Sequence, residues 1–129
     1  MRAVHTRRFT YIFNAWSDGK TRFQGECHGG LTFAAMRAAA QTNPALAARV
    51  RHIEYRTPEE LYDVEKDPGC LRNLANHPEY ASVKRKMKEM LEEDMRRTQD
   101  PLLACFLGKG PIPPELIKAR PPAKQGGDA

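Results

Sequence analysis

Residues 78–97 constrain this chain more than any other stretch. Tyr80, Val83, Met87, Met90, Leu91 and Met95 recur at three- and four-residue steps, the period of an apolar stripe along one side of an α-helix. Lys88–Glu92, Glu92–Arg96 and Glu93–Arg97 fall at i,i+4 on the other side and add modest support there. Asn76 as a cap with Glu79 three residues on would make a capping box, and Asp100-Pro101 closes the element. So one-sided a helix must bury its stripe against a second layer. The stripe reads as core packing rather than as a partner groove, methionine being a flexible filler of apolar gaps.

The second layer is expected upstream, as strands. Val4 to Asn14 is β-branched and aromatic, with Phe9, Tyr11 and Phe13 alternating with Thr10, Ile12 and Asn14, the pattern of a strand buried on one face. Ser17-Asp18-Gly19-Lys20 reads as a turn, and Thr21 to Gln24 as a weak return strand. His52 to Tyr55 and Leu61 to Val64 look extended. Between them, Leu31 to Gln41 reads as an alanine-rich helix with Thr32 able to cap it and Phe33, Met36 and Ala40 on one stripe. Pro44 to Val50 begins another, with proline in the tolerated first turn. Asp67-Pro68-Gly69 is a reversal in which glycine would take the positive φ, and Leu71 to Ala75 a single helical turn. Leu102 to Leu107 should dock on the domain. With 129 residues there is chain for one such domain. The expectation is an α+β fold, with a small antiparallel sheet of about four strands packed against the long C-terminal helix. It would occupy residues 1–107, followed by a Pro/Gly-rich, disordered tail over 108–129.

Charge is unevenly spread. Residues 1–57 hold nine bases and three acids, residues 58–107 eight bases and eleven acids, and the net charge is +5. The early bases are mostly arginine, which suits planar oxyanions. A solvated surface is the better explanation of such an excess, and no nucleic-acid motif accompanies it. No apolar run is long enough for a bilayer span, and the first residues have no signal-type apolar core. No nucleic-acid or membrane partner is therefore expected.

A catalytic centre is not legible. Cys27, Cys70 and Cys105 are widely spaced and form neither a disulfide framework nor a zinc pattern. Cys27-His28 and Cys70…His77 are the nearest Cys/His approaches; a Cys–His nucleophile pair assembled in space stays open. Phosphate loops, His-Glu-x-x-His and Gly-x-Ser-x-Gly are missing. Ser17 and Ser82 have no neighbouring base, His5, His28, His52 and His77 are scattered, and Glu59-Glu60 and Glu92-Glu93 are neighbours whose side chains diverge. No catalytic, cofactor-binding or metal-binding residue is assigned.

Two stretches nevertheless carry a resemblance. PEELYDVEKDPGCLRNLANHPEYASV closely resembles the C-terminal region of sulfatases, where a Glu-Leu-Tyr-Asp-Leu-type strand runs into an Asp-Pro turn, Asn-Leu-Ala and a long amphipathic helix. MRAVHTRRFTYIFN is similar to the family's Arg-x-Val-Arg-Thr-x-x-Tyr-Lys-Tyr-Ile strand. GGLTFAAMRAA and the approach Tyr55-Arg56-Thr57-Pro58-Glu59-Glu60 resemble the N-sulphoglucosamine sulphohydrolase (heparan N-sulfatase-like) branch. The order is consistent over roughly residues 1–103. His5 stands where the family usually has Arg, Cys70 where Glu or another polar residue is common, and Arg72 where Asn is common.

The resemblance implies a sulfatase C-terminal subdomain that shapes the substrate entrance of a sulfuric ester or sulfamate hydrolase. The family's formylglycine arises from Cys or Ser in Cys/Ser-x-Pro-x-Arg, beside a calcium held by acidic residues. Cys27 is followed here by His-Gly-Gly-Leu, Cys70 by Leu-Arg-Asn-Leu and Cys105 by Phe-Leu-Gly-Lys, so neither formylglycine nor calcium has a site in this chain. Met1 then reads as an internal family methionine or a fragment boundary, the implied partner as the catalytic domain, and the chain alone as inactive. The family is usually exported, while this chain carries no export signal. The alternative is a stand-alone module whose basic N-terminal half grips a sulfated glycan or other polyanion, to be tested by changing Arg7 and Arg8 to Ala.

Overall fold

A computed structural model describes residues 1–23 and 25–116. Three strands, β1 (Arg2–His5), β2 (Phe9–Phe13) and β3 (Glu59–Asp63), form one antiparallel sheet in that order. The first apolar segment is thus two strands, because Thr6 reverses the chain: its hydroxyl and backbone close onto Phe9. Val4 pairs with Tyr11, and Tyr11 with Leu61. Residues 14–58 leave the sheet between β2 and β3 and carry two helices, α1 (Leu31–Ala40) and α2 (Pro44–Tyr55). The long helix α3 (Ala81–Arg97) enters through a 3-10 turn at Pro78–Tyr80, and a short α4 (Leu103–Phe106) follows.

Register explains the layers. Tyr11 and Leu61 share one sheet face, and there they meet Met87, Leu91 and Met95 of α3, with Leu74, Ala75 and Leu102 completing the core. The other face carries Thr10, Glu60 and Tyr62, of which Tyr62 lies against His52 of α2. The α+β class, the small antiparallel sheet and the long helix all stand as expected. Met90 is the exception in the stripe, 43% exposed. It sits about 60° to one side of Met87 around the helix axis, past the edge of what the sheet covers.

Local corrections have local causes. His52–Tyr55 is helical: Val50 and Glu54 are the buried positions of α2, four residues apart, so the apparent two-residue alternation was a short sample of a helical period. Asn43 caps that helix, its Oδ1 accepting from Leu46 N at 3.1 Å. Thr32 does not cap α1; Gly30 holds that place without a side-chain bond. Thr21–Phe23 is not a strand, although the turn before it is real: Asp18 accepts from the backbone of Lys20 and Thr21, and Gly19 takes φ 78°. After Asp67-Pro68-Gly69 the positive φ falls on Cys70, at 49°. Leu71–Ala75 is irregular rather than helical. Asn73 organises it, its Oδ1 accepting from Leu61 N and Ala75 N at 3.0 Å each, which satisfies the outer edge of β3 in place of another strand. Asn76 and Glu79 form no capping box; His77 precedes the 3-10 turn without a side-chain cap. Of the i,i+4 pairs, Glu92–Arg96 forms, whereas Lys88 goes to Glu59 and Arg97 to Asp94.

Leu102 is buried, as the docking of the last apolar run requires. Ile112 also packs against the core, and Pro114–Leu116 make a 3-10 turn. Residues 117–129 of the expected tail lie outside the described residues. No helix among those described is long and apolar enough to cross a membrane.

Candidate functional site

The densest chemistry lies where α2 hands over to β3. Glu60 is wholly buried on the sheet face that looks at α2. Arg56 grips it bidentately, Nε to Oε1 and Nη2 to Oε2, both at 2.8 Å. Tyr62, two residues along the same strand and so on the same face, donates to Oε2 at 2.7 Å, and Asn14 Nδ2 donates to Oε1 at 2.8 Å. His52 completes the ring, Nε2 lying 3.2 Å from the Tyr62 hydroxyl and 3.7 Å from Oε2. Burial by itself would raise the Glu60 carboxyl, but the nearby His52, the Tyr62 hydrogen bond and the Arg56 charge bring it down to about 2. Burial and the bond to Glu60 push the Tyr62 phenol up. Asn14 Oδ1 is buried with no hydrogen-bond partner among the described residues.

Arg56 has an unusual backbone as well. With φ 52° and ψ −168° it occupies a region that costs a non-glycine residue roughly 1–3 kcal/mol. Its N–H still closes on His52 O at 2.8 Å. The turn out of α2 wants glycine there, and the fork onto Glu60 offsets the strain. Since the folded carboxyl lies below its ordinary 4.5, its contribution to stability is full above that value and is lost as pH falls through about 2. Urea midpoints should therefore fall between pH 5 and pH 2 (about the window between the two values), and fall less steeply in Glu60→Gln. Wild-type and variant curves of equal slope would count against this network.

The arginine-rich first half is largely spent internally. Arg2 pairs with Asp100, Arg8 with Asp63 at 2.7 Å, and Arg22 and Arg37 both with Glu54. Arg51 lies over the Tyr55 ring. Of the proposed Arg7–Arg8 grip, Arg7 is 96% exposed with Glu65 at 3.8 Å, while Arg8, 43% exposed, is tied to Asp63. Glu54 is held below the usual carboxylate range: burial would raise it, and its two guanidinium bonds more than compensate.

Among the described residues the cysteines make one approach to a histidine. All three are free thiols; Cys27 is exposed with its Sγ 3.8 Å from His28 Nδ1, and burial pushes the Cys70 thiol up. Ser17 spends its hydroxyl on Tyr55 O, and Ser82 is exposed on α3. Glu59 and Glu60 diverge as strand neighbours must, Glu59 turning to Lys84, Lys88 and Tyr11. Among the described residues no three His, Cys, Asp or Glu side chains come together as a metal site. Sequence patterns missed the Glu60 network, whose only local signals were the i,i+4 spacing of Arg56 and Glu60 and the i,i+2 spacing of Glu60 and Tyr62.

No protein-family model matches this chain. Over 42 residues, 33% of its length, it is 40% identical to a Delta 4,5-hexuronate-2-O-sulfatase of Bacteroides thetaiotaomicron, a stretch that is 9% of that protein. Over 43 residues it is 40% identical to an uncharacterized protein of Haemophilus influenzae, 22% of that protein's length. The chain thus spans a small part of the curated relatives it matches, and one third of it is sulfatase-like in sequence.

Proposed function

We propose that this chain serves as the C-terminal subdomain of a sulfatase of the N-sulphoglucosamine sulphohydrolase branch, a structural part that borders the substrate entrance and leaves hydrolysis to a catalytic domain. The observation that carries the reading is the 40% identity over 42 residues to a 2-O-sulfatase, in a chain whose strand, Asp-Pro turn and long helix follow in the order that the sulfatase resemblance implies. Two structural features support it. The most concentrated polar chemistry is turned inward, on Glu60 and Glu54, where it braces the fold. The α1 side also carries apolar surface that none of the described residues covers: Leu31 is 91% exposed, and Ala34, Ala35 and Ala38 of the same helix are exposed with it. A catalytic domain is the partner this surface would take, and a sulfated glycan the substrate of the whole assembly.

Alone, the chain should release no sulfate from 4-methylumbelliferyl sulfate or from a sulfamidated glucosamine, with or without calcium, above a no-protein control. Turnover by the purified chain would overturn the reading. The rival, a stand-alone polyanion grip, is tested through Arg7→Ala, since Arg8 is tied to Asp63 and its removal would disturb the strand. Heparin retention that depends on salt and falls in Arg7→Ala would favour the grip.

A further inference from the structure

One cleft has both the size and the walls of a small-molecule site. It is an open cleft where residues 15–23 meet Leu102 and the 112–116 segment, with a volume of ≈ 620 Å³, within the range of roughly 300–1,000 Å³ that such sites occupy. Trp16, Phe23, Leu102 and Ile112 make its walls mainly apolar, and Arg2 and Arg22 supply its charge. Trp16 is stacked on Phe23, centroids 5.2 Å apart and planes 21° off parallel, so the indole is held as a fixed plane. Arg2 is neutralised by Asp100. Arg22 is not fully neutralised: it shares one carboxylate oxygen, Glu54 Oε1, with Arg37, and two guanidinium groups on one carboxylate leave a positive charge beside the aromatic wall.

We propose that this cleft binds a small organic anion with a flat, apolar body, its ring against Trp16 and its acid group on Arg22. An apolar wall gives area, and a guanidinium fixes the orientation of a carboxylate, sulfate or sulfonate head. The site stands on its own geometry and does not depend on the sulfatase reading.

Trp16 is the only tryptophan of the chain and so reports directly on the cleft. The full chain is titrated with 4-toluenesulfonate, with 4-toluate and with 4-toluenesulfonamide, a neutral molecule of nearly the same shape, while Trp16 emission is followed. Both anions should give saturable changes, the stronger of the two identifying the preferred head group, and the sulfonamide should bind at least about tenfold more weakly. Arg22→Gln should cost about tenfold in anion affinity. Arg51→Gln, whose guanidinium lies over the Tyr55 ring and away from the cleft walls, should cost less than about threefold. Absence of a saturable change with either anion, equal binding of the sulfonamide, or equal losses in the two variants would overturn the proposal. So would a change in Trp16 emission that follows protein concentration alone, which would put a second copy in the cleft. Should Arg22→Gln fail to fold, the comparison of sulfonate with sulfonamide on the natural chain decides.

Discussion

Glu60→Gln is expected to lower the stability of the fold by about 3 kcal/mol, because it leaves the partly buried Arg56 guanidinium without its counter-charge. The same replacement made at an exposed acid of α3 would cost well under about 1 kcal/mol. The difference is context: Glu60 is 0% exposed, and its two oxygens serve Arg56, Tyr62 and Asn14 at 2.7–2.8 Å. Gln keeps the shape but offers one oxygen and an amide that confronts donors with donors. A urea midpoint reads the loss directly. The backbone gives a second arm. Arg56→Gly and Arg56→Ala both remove the fork, yet glycine accepts φ 52° without strain, so the glycine variant should be the more stable by about 1 kcal/mol. If alanine proves as good as glycine, the backbone at residue 56 is not strained.

Met95→Ala is expected to cost about 3 kcal/mol, chiefly the apolar contacts of a side chain 1% exposed and packed in the cluster of Tyr11 and Leu61. Met90→Ala, one of the same sequence stripe, should change stability by less than about 0.5 kcal/mol, its side chain being 43% exposed. Thermal or urea unfolding of the two variants side by side tests whether the sheet covers α3 on the Met87–Leu91–Met95 line. Equal losses would place Met90 in the core and move the helix around its axis.

How much of this could be read from the residues follows from range. The α3 stripe is legible because its period repeats over several turns, and tertiary packing moved only its margin. The β2 strand is legible because aromatic and β-branched residues alternate in it, whereas β3 shows only Leu61 and Tyr62 between paired glutamates and the Asp67-Pro68-Gly69 reversal. The segment 52–55 misleads, since two apolar residues at i and i+2 fit a strand until the upstream turn of α2 is counted with them. Asn73 is opaque for a different reason. Its side chain replaces backbone pairing at the edge of β3, and nothing in Leu71–Ala75 announces that. The Glu60 network is opaque because it joins positions 14, 52, 56, 60 and 62 from three elements, and adjacent glutamates look like solvated charge until the register sends one to each face. The arginine excess was visible in the composition; that Glu54, Asp63 and Asp100 consume it was not.

A graft decides whether this chain acts as a structural subdomain of a larger sulfatase. Residues 1–107 replace the stretch of equal length around the 42 matching residues of the Bacteroides thetaiotaomicron hexuronate-2-O-sulfatase, and thermal unfolding of the chimera is compared with that of the enzyme truncated of that stretch and of the free chain. A structural subdomain gives one cooperative transition above that of the truncated part, as covering the Leu31 surface couples the two. Two separate transitions, each where the isolated pieces unfold, would contradict it.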